Sequence, residues 1–255
     1  MPIERMALKH KKTTTRSAIR ASIWAAPVET AGKLTLSRDA IVHAAINLAN
    51  HEGLKAVSIR RIATVLGASP MALYYHIPSK DDLLNLMLDA TYAQLTFPDG
   101  VDMDWRQVLS LFAAQHRRNL EQNPWSISIR LDSREYGPEG IRALEWYLGR
   151  LSSFGLDVPL CVRILGLLLN FVIGFVSSEP PAAARRTPRT RAANPLFAAS
   201  VLATGRYPFV TKFVQVGIEP ADNHAFARAL NWLLDGVSPV FEGQHALAPQ
   251  KGVSP

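Results

Sequence analysis

The chain of 255 residues is 48% hydrophobic, which is enough material for one large or two modest globular domains. Its 28 Lys and Arg residues exceed its 21 Asp and Glu residues by seven, and its single cysteine, Cys161, excludes an internal disulfide. The sequence contains no glycine-rich phosphate loop, no G-x-S-x-G or H-E-x-x-H motif and no Cys/His cluster with zinc spacing, which disfavours an enzyme, a cofactor and a metal site.

The N-terminus holds the excess of basic residues. Residues 1–33 contain seven Lys and Arg against two Glu, in a Thr/Ala/Ser-rich stretch without sustained periodicity, which predicts a disordered arm. Such an arm either follows DNA phosphates or is a solvated tail without function, and the sequence favours neither. No apolar stretch with a cleavage site follows the basic start, so we expect a cytoplasmic protein without a targeting segment.

Residues 34–97 carry the start and stop signals of four closely spaced helices. Serines stand where N-caps are expected, Gly53 and Gly67 supply stops, and Pro78 ends the third helix. The second and third helices are joined by a turn of roughly three residues, and the third exposes tyrosines and a histidine, which is typical of a helix-turn-helix that enters the DNA major groove. The predicted bounds are about 37–53, 58–67, 70–76 and 79 onward.

A longer motif runs through these helices. It begins with AA-x-x-L-x-x-x-x-G over residues 44–53 and continues with the turn at Leu66 and Gly67. It ends with L-Y-x-H/Y-[FVI]-x-x-K-x-x-L-L, matched at Leu73, Tyr74, His76, Ile77, Lys80, Leu83 and Leu84. In this order of parts the chain resembles the N-terminal DNA-binding domain of the TetR family of bacterial transcriptional regulators.

The resemblance implies roles for individual residues in DNA binding. It places Arg60 where the second helix reaches the major groove, and Ser58 and Lys80 at helix N-termini that meet phosphate. Tyr74 and His76 match positions that pack against or hydrogen-bond the DNA backbone, although Tyr74 could instead fill the interface with the first helix. The full predicted set is Ser58, Arg60, Ser69, Met71, Tyr74, Tyr75, His76 and Lys80.

The third helix departs from the tetracycline repressor of this family at Pro70, Met71 and Ala72, where that repressor uses polar residues to read bases. The operator sequence therefore cannot be transferred to this chain. Met71 and Ala72 could at most contact thymine methyl groups, which leaves Arg60 and Ser69 as the predicted direct readers.

The remainder of the chain also indicates helices, and we predict an all-α fold in which a larger C-terminal domain spans 98–240. The proline- and arginine-rich stretch 180–195 is expected to be a mobile loop, either solvated or touching an acidic partner. Residues after Gly236 are expected to fray, with a flexible tail over 241–255. Further helices are expected at about 105–122, 125–131, 138–155, 159–178, within 196–216, and at 223–234.

The stretch 158–176 is apolar enough to suggest a membrane span. Arg163 and Asn170 interrupt it, and its length is near the lower limit for crossing a bilayer. We therefore interpret it as a buried helix of a bundle and expect no membrane partner.

A weaker resemblance covers Trp105 to Leu156, through W-R-x-x-L, Q-N-P-W and G-P-E-G-x-x-x-L-x-x-x-L-x-x-x-G-L. These motifs are similar to those of the C-terminal ligand-binding and dimerisation domain of the tetracycline-repressor type. The resemblance implies a homodimer built on a four-helix bundle from two late helices of each subunit. It also implies a cavity between the middle helices for a small inducer.

Aromatic residues of this domain supply the candidate ligand site. His116 lies on an apolar stripe, where a histidine is either a ligand contact or a satisfied core residue. Asn170, a lone amide in an apolar helix between Gly166 and Gly174, either meets the dimer partner or lines the pocket. Arg130 is a further candidate. The predicted set is Trp105, Phe112, His116, Trp125, Trp146, Asn170 and Phe171.

The sequence therefore predicts a ligand-responsive repressor that binds a palindromic operator as a dimer and is released by a small apolar or aromatic inducer. The alternatives are a transcriptional activator and a DNA-binding architectural protein that senses nothing. The large helical half with its aromatic residues disfavours the second alternative. The identity of the inducer and the sequence of the operator are not legible in the chain.

Overall fold

The computed structural model describes residues 24, 36–132, 136–179, 202–216 and 224–245. Their regular structure is helical, which confirms the expected all-α class. Most of the basic arm, the loop 180–195 and the chain after residue 245 lie outside these ranges, as do the predictions made for them. The chain divides into two compact units, residues 1–169 and 170–255, which we describe separately.

The N-terminal domain, residues 36–97, packs its helices around a core that includes Ile41, Ile62, Leu73, Ile77 and Leu83, all completely buried. A 3-10 turn at Leu54–Ala56, which the sequence did not indicate, follows the first helix. The helices are α1 (Arg38–Glu52), α2 (Ile59–Leu66), α3 (Pro70–His76) and α4 (Lys80–Tyr92).

Serine N-caps begin these four helices, as the sequence predicts. The side chains of Ser37, Ser58, Ser69 and Ser79 each accept a hydrogen bond from a backbone N–H three residues further along. Gly67 ends α2 with a φ of 63°, the left-handed conformation that glycine adopts without steric cost. The short connection that results fixes α3 directly after α2.

The larger part of the first unit consists of α5 (Trp105–Gln122), α6 (Ser126–Asp132), α7 (Pro138–Ser152) and the beginning of α8 (Val158–Ser178). A reciprocal pair of hydrogen bonds between Asp104 and Gln107 forms a capping box that starts α5. Helix α4 contacts both α6 and α7, and α5 contacts α7. Helix α4 therefore connects the N-terminal domain to the helices that follow it.

The second unit contains the end of α8, α9 (Pro208–Val216) and α10 (Ala225–His245). Phe171 of α8 lies 5.5 Å from Phe226 of α10, measured between ring centroids. The expectation that the last helix frays after Gly236 is wrong, because α10 continues to His245. Leu234, Val237 and Phe241 extend its buried stripe at helical spacing, and this burial outweighs Gly236 and Pro239.

Helix α8 is long and apolar enough to cross a membrane by length and composition, which makes it the candidate span within the described part of the chain. Only 28% of its most apolar window is buried, so the expectation of a fully buried helix does not hold for a single chain. Val162 and Leu167 are each about half exposed. An apolar surface of this extent indicates a face that another element covers.

Candidate nucleic-acid interface and ligand site

Helix α3 presents a surface that is unusually apolar for exposed side chains. Met71 is 77% exposed and Tyr75 is 85% exposed, whereas Leu73 on the opposite side is completely buried in the core. Tyr74 is about half exposed, and the Tyr75 ring meets the His76 ring edge-on at 5.5 Å. Packing of Leu73 thus fixes which side of α3 faces outward.

The other predicted DNA-contacting residues also reach the surface. Ser58, Arg60, Ser69 and Lys80 are exposed, and His76 is partly exposed. Ser69 and Lys80 stand at the N-termini of α3 and α4, where free backbone N–H groups and the helix dipole favour an anion. The predicted set thus lies at the surface of α3, of the preceding helix α2 and of the N-terminus of α4.

The two arginines of α2 have different surroundings. Arg61 donates to the Glu52 carboxylate of α1, with a closest distance of 2.5 Å, and this ion pair joins the two helices. Arg60 makes no ion pair within the described residues. The guanidinium of Arg60 is thus available to an external partner, whereas that of Arg61 is occupied.

An aromatic cluster lies between α4, α5 and α7 and consists of Tyr92, Phe97, Phe112, His116, Trp146 and Tyr147. The His116 ring stacks on the Phe112 ring with centroids 3.9 Å apart. The Tyr147 ring meets Phe112 edge-on at 4.9 Å, and Trp146 lies 5.2 Å from Phe97. Three of the predicted ligand residues, Phe112, His116 and Trp146, belong to this cluster.

His116 is neutral in this environment. Burial, together with the positive charge of Arg130, lowers the pKa of His116 from 6.5 to about 3. Its Nδ1 donates to the backbone oxygen of Phe112 at 2.9 Å, which leaves Nε2 as a hydrogen-bond acceptor. His116 is therefore a buried and uncharged hydrogen-bond acceptor.

Polar side chains that the sequence analysis did not select hold this cluster in place. The Nε2 of Gln115 donates to the Tyr147 hydroxyl at 3.3 Å and to the Thr96 carbonyl. The Oε1 of Gln115 accepts a hydrogen bond from the Thr96 N–H. Burial raises the pKa of Tyr147, so its hydroxyl keeps its proton. Gln115 and Asn119 follow Phe112 at helical spacing on a buried face, and that pattern was the signal available in the sequence.

Arg130 occupies the edge of the cluster. Its Nη1 donates to the Tyr92 hydroxyl, its Nη2 donates to Asn119 Oδ1 at 3.0 Å, and its guanidinium lies 4.7 Å from the centre of the Tyr92 ring. Asn119 Nδ2 in turn donates to the Thr91 carbonyl at 2.5 Å. These contacts tie α5 and α6 to the last turn of α4.

The other predicted ligand residues lie elsewhere. Trp125 is buried in the core shared with the N-terminal domain, and its Nε1 donates to Asn50 Oδ1 of α1 at 2.6 Å. Trp105 is the partly exposed first residue of α5. Asn170 and Phe171 belong to the second unit, where Asn170 is exposed and Phe171 packs against Phe175 and Phe226.

No group of three His, Cys, Asp or Glu side chains is placed to hold a metal ion within the residues that the structure describes. The only cysteine, Cys161, is buried, and burial raises the pKa of its thiol. The described residues thus offer two candidate sites, an exposed helix beside helix N-termini and a buried aromatic cluster with a few polar groups.

Two family profiles match the chain. The profile described as "Bacterial regulatory proteins, tetR family" matches residues 41–87. The profile described as "Tetracyclin repressor-like, C-terminal domain" matches residues 97–241, which is more than half of the chain. The first profile covers most of the N-terminal domain, and the second covers the residues of the aromatic cluster except Tyr92.

Individual proteins are similar over most of their length. The HTH-type transcriptional repressor DrrR1 of Streptomyces coeruleorubidus is 33% identical over 213 residues, which cover 80% of this chain and 78% of the repressor. The class C tetracycline repressor of Escherichia coli is 27% identical over 206 residues, covering 79% of this chain and 90% of that protein. The crystal structure of the Streptomyces coelicolor protein ActR in complex with (S)-DNPA aligns with a TM-score of 0.64 and 22% identity, over 80% of this chain and 98% of ActR, and shows the same fold.

Proposed function

This chain belongs to the TetR family of bacterial transcriptional regulators, and from that premise we propose that it is a cytoplasmic repressor that binds a palindromic operator as a homodimer and is released by a small aromatic inducer. As a member of that family it is a DNA-binding regulator and not an enzyme. The repressor role, the operator symmetry and the kind of inducer are the parts that we propose.

The exposed face of α3 is the observation that carries the proposal. Met71 and Tyr75 leave most of their apolar surface in water, whereas Leu73 of the same helix is completely buried. A contiguous exposed apolar surface commonly marks an interaction site, and a helix of this width fits the major groove of B-DNA. In the proposed complex α3 lies in that groove with Met71 and Tyr75 against base edges.

Residues around α3 have distinct proposed roles. Arg60 reads a base, because an arginine without an internal ion pair can donate two hydrogen bonds to guanine. Ser58 and Lys80 hold phosphates at the N-termini of α2 and α4. Ser69 reaches a base at the start of α3, while Tyr74 and His76 contact the DNA backbone.

The exposed apolar residues of α8 and α10 support a homodimer. Val162 and Leu167 are about half exposed on α8, and Trp232 is 72% exposed on α10. In the proposed dimer a second copy covers these faces, which would form a symmetric helical bundle. Two linked DNA-binding domains then bind a two-fold symmetric operator more tightly than one domain does.

The aromatic cluster supports an inducer site of the expected kind. It offers several ring faces together with the neutral His116 and the Tyr147 hydroxyl, which is a common composition of a small-molecule site. Tyr92, the last residue of α4, belongs to the same cluster. An inducer that rearranges the cluster therefore moves α4, the last helix of the N-terminal domain. It releases the DNA if it binds the released state more tightly than the DNA-bound state.

In vitro selection from a random DNA library tests the DNA-binding part of the proposal. We expect the purified protein to enrich inverted repeats whose half-sites lie about one helical turn apart. Transcription from a promoter that holds the selected site should fall when the protein is added, and an increase would identify an activator instead. Enrichment of no sequence, or of single sites without symmetry, would contradict a dimeric repressor.

Titration of compounds against the operator complex tests the inducer site. A His116→Ala variant should need more inducer for release, while its operator affinity without inducer stays within a few-fold of the wild type. A sharply lowered Tm together with an unchanged release concentration would instead make His116 a core residue.

A further inference from the structure

Arg130 carries a positive charge that no carboxylate balances within the described residues. The ion pairs found there join other residues, and the acceptors of Arg130 are the hydroxyl of Tyr92 and the side-chain oxygen of Asn119, both neutral. Its Nε is buried and makes no hydrogen bond. Arg130 as a whole is only partly buried, but its Nε–H is buried without an acceptor, and a buried donor that makes no hydrogen bond costs free energy.

Asp89 and His116, two titratable groups of the described residues beside Tyr92, do not balance the charge of Arg130. Asp89 lies in the same last turn of α4 as Tyr92, but its carboxylate accepts hydrogen bonds from the backbone of Glu139 and Gly140. His116 stays neutral and adds no charge of either sign near neutral pH. The guanidinium of Arg130 thus faces an aromatic, uncharged surrounding with unused donors.

An arginine beside aromatic rings has the chemistry to bind a planar acid. The guanidinium fork donates parallel hydrogen bonds to a carboxylate, and such charge-assisted bonds are roughly twice as strong as neutral ones. The rings of Tyr92, Phe112 and Tyr147 supply apolar contact for the body of the same ligand. The two features together define a ligand with an aromatic frame and an acidic group at its edge.

We propose that Arg130 determines inducer specificity by pairing with an anionic oxygen group, a carboxylate or an ionised phenol, on an aromatic inducer. The inference rests on the proposed function, because it concerns the same ligand site. Binding of the anion would also affect α4, because a guanidinium that turns toward the anion loses its hydrogen bond to Tyr92. The small apolar or aromatic inducer expected from the sequence is thereby narrowed to an aromatic acid.

A matched pair of probes tests the proposal on the full-length protein. Anthraquinone-2-carboxylate and anthraquinone-2-carboxamide have the same aromatic frame and differ in charge. Calorimetric titration should show the carboxylate binding the wild type at least about tenfold more tightly than the carboxamide. In Arg130→Met the two probes should bind equally, and in Arg130→Lys the preference should be several-fold smaller than in the wild type.

Arg118→Met is the control, because Arg118 is an exposed residue of α5 and its loss should leave the preference intact. Equal binding of the two probes to the wild type, binding of neither at millimolar concentration, or a preference that survives in Arg130→Met would overturn the proposal. If Arg130→Met fails to fold, as judged by circular dichroism, the wild type and Arg130→Lys decide the question.

Operator binding in the same samples separates this inference from the proposed function. A protein that binds its selected operator and is released equally by both probes would remain an inducible repressor without anion recognition. A protein that binds no operator sequence would contradict the proposed function, whatever its preference between the probes.

Discussion

Asp89 Oδ1 accepts a hydrogen bond from the backbone N–H of Gly140 at 2.9 Å, so a carboxylate at the end of α4 caps the first turn of α7. Asp89 Oδ2 accepts a second bond from the N–H of Glu139 at 3.2 Å. Burial raises the pKa of Asp89, while these two backbone bonds act in the opposite direction. The N-terminal domain and α7 thus share a buried polar contact that places the start of α7 against α4.

This contact predicts that Gly137→Ala destabilises the protein. A Cβ at Gly137 would lie 2.4 Å from Asp89 Cγ and 2.4 Å from Trp24 Cη2, distances at which both neighbours must move. We expect the free energy of unfolding to fall by about 1–3 kcal/mol, the usual cost of overpacking, measured by urea denaturation. Gly149→Ala is the control, because no atom lies within 4 Å of its new Cβ and alanine favours a helix. Equal stability of the two variants would show that Asp89 and Trp24 can move away from the new Cβ without loss of stability.

Arg60 and Lys80 should affect DNA binding in different ways. Arg60→Ala should relax base preference at one position of each half-site, at a cost of about 1–3 kcal/mol, because a base contact is lost. Lys80→Ala should weaken binding to all sequences alike and reduce the salt slope by about one, because a phosphate contact is lost. Fluorescence anisotropy over a salt series with variant operators measures both effects. Unchanged base preference in Arg60→Ala would remove this residue from the proposed base readers.

The dimer proposal is best tested at exposed residues. Trp232→Glu should abolish the dimer but retain helicity, because the side chain is 72% exposed in the single chain. Light scattering should then give the 28.1 kDa mass of one chain instead of twice that mass. Leu168 is 2% exposed, so a charge there would unfold the subunit and leave the question open. Arg118→Glu, on the exposed side of α5, should leave the dimer intact, and a Trp232→Glu protein that stays dimeric would place the interface elsewhere.

The buried neutral His116 predicts a pH-dependent stability. Since its folded pKa is about 3 and its ordinary value is 6.5, the unfolded state binds a proton that the folded state does not between these pH values. Stability should therefore fall as pH drops below 6.5, by up to about 1.4 kcal/mol for each pH unit. His116→Phe should flatten this dependence of Tm between pH 7 and pH 5, whereas the exposed His43→Gln should not. A His116→Phe profile parallel to the wild type would contradict the burial of a neutral imidazole.

The sequence predicted the structure best where that structure depends on residues close together in the chain. The caps at Ser58 and Ser69 and the stop at Gly67 act within three residues, so the bounds of α2 and α3 could be predicted closely. The exposure of Met71 and Tyr75 followed from the same helical phase. These features require no knowledge of the rest of the fold.

The ligand site was less predictable because its contacts join distant parts of the chain. Arg130 meets Tyr92, which is 38 residues away, and Trp125 meets Asn50, which is 75 residues away. An aromatic residue on an apolar stripe indicates burial but does not identify its neighbours. For this reason Trp125, expected beside the ligand, is found in the core near α1, while the polar residues around His116 were not selected.

Helix α3 contains no Lys, Arg, Asp or Glu in its seven residues. Apart from His76, its exposed side chains therefore add no cation that attracts the protein to DNA of any sequence. Attraction to DNA of any sequence is thus proposed for cations outside α3 such as Lys80, whereas recognition of the operator is proposed for Arg60 together with the exposed side chains of α3. In the proposed complex, operator preference could therefore be redesigned at Met71 and Tyr75 without changing the cations that attract the protein to DNA.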